Sequence, residues 1–132
     1  MKTIDQNKKI LVIEDEVPVL RALNDKFTLE GFRMLEAMDG SAWLKVALEE
    51  KPDVILLDIL MPIMDGLTML KKLRAENTYG KTVLVIMLTN LSADREEVMR
   101  TVAETEPSYY LVKPNFTLSQ IVAKVKELLS RS

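Results

Sequence analysis

Three short runs in this chain are almost unbroken Val, Ile and Leu: Ile10-Leu11-Val12-Ile13, Val54-Ile55-Leu56-Leu57 and Val83-Leu84-Val85-Ile86. Such runs carry no polar residue for a solvent-facing side of the pleat. They suit strands buried on both faces, the condition of a parallel sheet. Candidate strands are 9–14, 32–37, 53–58, 82–88 and 108–112. Segment 32–37, Phe32-Arg33-Met34-Leu35-Glu36-Ala37, is more mixed and suits an edge position.

Helical patterns fill the gaps. The first candidate helix spans about 17–30, with Pro18 in its first turn and Gly31 just past its end. The second spans about 40–51, with Asp39 able to cap it and Pro52 after it. The third spans about 66–77, with Asp65-Gly66 read as turn chemistry before it and a Gly80 turn after it. The fourth runs from about Ser92 to Glu104, and its Asp94-Arg95-Glu96-Glu97 run suits a solvated face. The fifth spans about 117–130. Thr117 and Gln120 fit a capping box, and Leu118, Ile121, Val122, Val125, Leu128 and Leu129 form one apolar stripe at helical spacing. Alternating β and α implies right-handed crossovers and helices on both faces of the sheet.

Composition closes several routes. The 132 residues suffice for one domain with a sizeable core, and 48% apolar content argues against disorder. A net charge of −2 gives no electrostatic reason to expect direct nucleic-acid or membrane binding. There is no Cys, hence no thiol chemistry, and no His, hence no His general base, His-ligated zinc or phosphohistidine carrier role. No apolar run reaches the roughly 18 residues of a membrane span. Residues 1–8 are polar and lack a signal-peptide core, so they read as a tail entering a domain at 9–130, and the cytoplasm is the expected compartment.

Ligands on such sheets bind beyond the carboxyl ends of the strands. The unusual polar residues stand there: Glu14-Asp15 after the first strand, Asp58 ending the third, Thr89-Asn90 ending the fourth and Lys113-Pro114 after the fifth. An acid at the end of an apolar strand is costly to bury and usually has a task. Two carboxylates about 4 Å apart repel by about 4 kcal/mol at an effective dielectric of about 20. A third is worse, and one Lys cannot neutralise three. An all-oxygen donor set without His or Cys selects hard Mg²⁺, Mn²⁺ or Ca²⁺. The spacing is not that of an EF-hand loop. A hard metal beside a strand-end carboxylate suits phosphoryl chemistry, with Asp58 as nucleophile and Thr89 and Lys113 on the phosphoryl oxygens.

The set Glu14-Asp15, Asp58, Thr89 and Lys113-Pro114 resembles the receiver domain of two-component response regulators. The likeness runs from about Lys9 to Leu129. It is carried by Ile10-Leu11-Val12-Ile13-Glu14-Asp15-Glu16, by Leu57-Asp58-Ile59-Leu60-Met61-Pro62-Ile63-Met64-Asp65-Gly66 and by Tyr110-Leu111-Val112-Lys113-Pro114. It implies a doubly wound, flavodoxin-like (βα)5 fold of strand order 2-1-3-4-5. Asp58 is implied to be the phosphoacceptor, charged by a partner histidine kinase or phosphotransfer protein. Asp15, Asp58 and the Leu60 backbone carbonyl are implied to bind Mg²⁺, with Mn²⁺ as an alternative, and Glu14 to act on the metal directly or through water. Thr89 and Tyr110 are the implied switch pair. The implied output face joins the fourth helix, fifth strand and fifth helix, roughly 92–112 and 117–130. The expected protein is a stand-alone signalling receiver, monomeric or dimerising on phosphorylation, with output onto a downstream protein. It is not an enzyme beyond accepting and slowly losing its own phosphoryl group.

Several positions depart from the common family pattern. Glu14 replaces an Asp, Asn90 follows Thr89 where a small residue is usual, and Glu106-Pro107 replaces Gly-Ala. Asn115 intervenes before Phe116, and Trp43 stands where a small residue is common. Two other readings compete. A haloacid-dehalogenase-type phosphatase also uses an aspartyl nucleophile with Mg²⁺, but it needs an acid two residues further on, where this chain has Leu60. A receiver that binds partners without phosphorylation has no need of the intact acid set.

Overall fold

The computed structural model describes residues 8–14, 16–37, 40–58, 63–89, 109–112 and 117–131. Five strands form one parallel sheet: β1 (Lys9–Ile13), β2 (Arg33–Ala37), β3 (Val54–Asp58), β4 (Leu84–Thr89) and β5 (Tyr109–Val112). Their order is β2-β1-β3-β4-β5, which puts the mixed strand β2 at one edge as its sequence suggests. The described helices are α1 (Val17–Leu29), α2 (Gly40–Glu50), α3 (Ile63–Glu76), α4 (Thr78–Thr82) and α5 (Leu118–Arg131). The segment expected to form a helix over 92–104 lies outside the described residues, as does Asp39.

Strand alternation divides the core in two. Leu11, Ile13, Ile55, Leu57, Val85 and Met87 join Trp43 and Ala47 of α2 and Leu70 and Leu73 of α3. The intervening Ile10, Val12, Val54, Leu56, Ile86 and Leu88 join Leu20, Leu23 and Phe27 of α1 and Ile121, Val122 and Val125 of α5. Among the described residues, α2 and α3 thus cover one face of the sheet and α1 and α5 the other. This is the physical reason the central strands carry no polar residue on either side.

Local chemistry fixes the helix ends. Pro18 lies in the first turn of α1, where its missing N–H costs nothing. Past the other end Gly31 adopts φ 96°. Its N–H donates to Thr28 O at 3.0 Å, and the Phe32 N–H donates to Phe27 O at 3.1 Å, the paired bonds of a Schellman stop. The rings of Phe27 and Phe32 then meet edge to face at 5.6 Å, closing the turn with apolar contact. At the end of α2, Lys51 takes φ 48° and its N–H donates to Ala47 O at 3.0 Å, so a non-glycine residue performs the left-handed stop before Pro52. The capping box of α5 forms as expected. Gln120 N–H donates to Thr117 Oγ1 at 3.2 Å, and Thr117 N–H donates to Gln120 Oε1 at 2.8 Å.

Two expectations are corrected. Helix α3 begins at Ile63, not near residue 66, so Asp65 and Gly66 lie inside it and do not form a turn before it. A single interior Gly costs about 1 kcal/mol, which the longer helix absorbs. The expected Gly80 turn is the short helix α4, and consequently β4 begins at Leu84 rather than residue 82. Side chains hold α4 in place. Asn77 Oδ1 accepts from Gly80 N–H at 2.8 Å. Arg74 Nη1 donates to Gly80 O at 3.0 Å and Val83 O at 2.8 Å. Tyr79 OH donates to Pro52 O at 2.7 Å.

Candidate functional site at the carboxyl edge of the sheet

Parallel strands bring all their carboxyl ends to one edge, and register sets which residues meet there. Ile13 of β1 pairs with Leu57 of β3. Glu14 and Asp58 are therefore the next positions along adjacent strands. Asp58 pairs in turn with Leu88 of β4, and Thr89 pairs with Val112 of β5. Asp58 and Thr89 are the last residues of their strands. The sheet thus gathers the ends of β1, β3, β4 and β5, where the site was expected from the sequence.

Glu14 is the site residue whose side chain the structure describes in full. It is 0% exposed, and among the described residues it is the buried charged one. Its backbone N–H donates to Ala37 O at 3.3 Å, continuing the β1–β2 ladder one step past the strand. Its Oε1 accepts the backbone N–H of Glu16 at 3.0 Å. Glu16 is the N-cap residue of α1, and its own side chain makes no capping bond. Helix α1 is thus tied to the site by an acid two residues before its cap. In the sequence Glu16 stands only as the end of the Glu14-Asp15-Glu16 run, and nothing there but its spacing marks its backbone as the partner of Glu14. The spacing of two residues was the available signal, since an acid there can bond back to the following chain.

For Asp58, Thr89 and Tyr110 the backbone is described: Tyr110 lies in β5, paired with Met87, beside Tyr109 paired with Ile86. Asp15, Leu60, Asn90 and Lys113 lie outside the described residues, as do Glu106-Pro107 and Asn115-Phe116. Among the described residues, no group of three or more acidic side chains is placed to hold a metal. What they do show is one wholly buried carboxylate beside the strand end that carries Asp58. Burying a carboxylate calls for compensating charge or hydrogen bonds. A carboxylate oxygen is a donor of the type that a hard divalent cation takes.

The opposite edge of the sheet is chemically different. A cleft of about 300 Å³ opens there, lined by Lys8, Lys51, Asp53, Tyr79, Thr82 and Leu129 among others. Burial pushes the Tyr79 phenol well above its usual pKa, the Asp53 charge adds to this and Arg74 opposes it. The cleft shares no residue with the acidic edge.

The family model for the response regulator receiver domain matches residues 10–126. The transcriptional regulatory protein PrrA of Mycobacterium tuberculosis is 38% identical over 131 residues, covering 99% of this chain and 54% of PrrA. The alkaline phosphatase synthesis transcriptional regulatory protein PhoP of Bacillus subtilis is 35% identical, covering 96% of this chain and 50% of PhoP. The chain therefore spans about half the length of these curated relatives. Among solved structures, the receiver domain of Francisella response regulator 1452 superposes with a TM-score of 0.79 at 30% identity, covering 95% of this chain and 98% of that one. No described helix is long and apolar enough to cross a membrane. A receiver is a domain of phosphorylation-dependent signalling rather than a classical enzyme, and this chain belongs to the response regulator receiver domain family.

Proposed function

We propose that Asp58 accepts a phosphoryl group from a partner histidine kinase or phosphotransfer protein. The observation that carries this is the wholly buried Glu14 at the end of β1, one register step from the strand that ends in Asp58. A carboxylate oxygen of Asp58 attacks phosphorus and forms a P–O bond. The P–N bond to the donor imidazole breaks, and the imidazole leaves with the electron pair. Hydrolysis of the acyl phosphate later returns phosphate and the free carboxylate. With no His in the chain, the phosphoryl group comes from outside it.

Asp15, Asp58 and the Leu60 carbonyl would hold Mg²⁺, or Mn²⁺ in its place, with Glu14 acting directly or through water. The metal supplies charge neutralisation for the transferring phosphoryl group. Thr89 donates a hydrogen bond to a phosphoryl oxygen, and the Lys113 ammonium pairs with another. Thr89 and Tyr110 form the switch, which biases two existing states of the output face at roughly 92–112 and 117–130. That face docks onto a downstream protein in the cytoplasm, as a monomer or a phosphorylation-dependent dimer. The relatives are transcriptional regulatory proteins about twice as long, which favours a second reading of the output, as control of transcription. The acceptor half and its metal dependence are tested by incubation with a small acyl phosphate and Mg²⁺. Uptake should be lost with a chelator, and uptake unchanged by the chelator removes the metal from the account.

A further inference from the structure

The last apolar row beneath the acidic edge runs across four strands. Ala37 pairs with Ile13, Ile13 with Leu57, and Leu57 with Met87. All four are buried, and all four belong to the cluster on the α2–α3 side of the sheet. Two members directly precede site acids in the chain: Ile13 before Glu14 and Leu57 before Asp58. The same cluster contains Trp43, which is 0% exposed and the largest wholly buried side chain among the described residues. Trp43 lies near the start of α2, six residues after Ala37, so the chain has just turned back from the carboxyl edge when it places the indole.

The indole N–H makes no hydrogen bond among the described residues although it is buried. An unmet buried donor costs stability, so what Trp43 contributes at this position is its volume. Ring volume in a close-packed row sets where its neighbours sit, because interiors transmit the displacement of a missing group.

We infer that Trp43 is a positioning residue for the phosphoacceptor site, holding the row Ala37–Ile13–Leu57–Met87 so that Glu14 and Asp58 stand at the right height on their strands. The inference rests on Asp58 as the phosphoacceptor. It does not make Trp43 a ligand or a catalytic residue.

The test compares Trp43→Leu and Trp43→Phe with Phe27→Leu, a large-to-small change in the cluster on the other face of the sheet. Three quantities are read on the whole chain: thermal stability, Mg²⁺ affinity by calorimetry, and phosphoryl uptake from a small acyl phosphate. Trp43→Leu should lower Mg²⁺ affinity and the uptake rate by about tenfold or more, as misplacement of a reacting group by a fraction of an ångström does. Trp43→Phe should recover most of both. Phe27→Leu should lose stability while affinity and rate stay within about twofold of wild type. Wild-type affinity and rate in both Trp43 variants overturn the inference, and so does an equal loss in Phe27→Leu. If Trp43→Leu fails to fold, Trp43→Met takes its place, with the same loss expected and wild-type affinity and rate overturning the inference. Failure of the wild type to take up phosphoryl would sink the Asp58 reading alone, since the Mg²⁺ comparison reads Trp43 without it.

Discussion

Gly80 shows how much one hydrogen atom in place of a methyl can decide. It is buried in α4 (Thr78–Thr82), and a Cβ built on it would overlap the Leu73 carbonyl oxygen, a backbone atom that cannot rotate away. Gly80→Ala should therefore destabilise the protein by about 1–3 kcal/mol or more. Chemical denaturation checks this, and a wild-type midpoint would mean that α3 and α4 can separate at little cost. The sequence marks Gly80 only as punctuation. Its need to be Gly comes from a close approach between two helices, which no local pattern reveals. Glu14 is the opposite case. Its place at the end of an apolar run made it a site candidate at once, while its complete burial and its bond to the Glu16 N–H emerge only from the fold.

Elements whose ends are set by local chemistry were legible in the sequence. Thr117 and Gln120 form both bonds of a capping box at the start of α5 (Leu118–Arg131). Thr117→Ala should cost about 1 kcal/mol, visible as a lower melting temperature with an unchanged denaturant slope. No loss would show that the exposed first turn of α5 is held by its packing alone. The stop of α1 at Gly31 was legible for the same reason. Helix α4 was not. The sequence Thr78-Tyr79-Gly80-Lys81-Thr82 is poor in helix formers, and one short turn does not pay its own nucleation cost. It forms because Arg74, Asn77 and Tyr79 tie it to neighbouring backbone. Such ties are tertiary and invisible to periodicity. The start of α3 (Ile63–Glu76) was expected too late because Asp65-Gly66 reads as a turn, and both residues lie inside the helix.

At the scale of the molecule, the unbroken apolar runs of β1, β3 and β4 announce a sheet covered on both faces, and the two buried clusters confirm it. Strand order came from family resemblance rather than periodicity, because the register that joins β1 to both β2 and β3 depends on crossovers. The chain is also closed across its length by an ion pair. Lys126 Nζ of α5 lies 2.7 Å from Glu30 Oε2 at the end of α1. The hydrogen bond from Lys126 and then its charge hold the Glu30 carboxyl below its usual pKa. A lowered folded-state value means that the unfolded chain takes up the proton first as pH falls. The contribution is thus fully present above the ordinary carboxylate range and lost as pH drops through the folded value. Both groups are solvent-exposed, so the effect is small. Lys126→Met should be slightly less stable than wild type at neutral pH and equal to it in acid, measured by denaturation across pH. A deficit that persists in acid would mean that the Lys126 stem, not its charge, matters.

Asp58, the last residue of β3, is where the proposed phosphoryl transfer takes place. The most direct measurement is the intact mass of the protein after incubation with a small acyl phosphate and Mg²⁺, for wild type and for Asp58→Asn. One added phosphoryl group on the wild type and none on the variant is the result predicted. A phosphorylated Asp58→Asn protein, or an unmodified wild type across several donors, would contradict it.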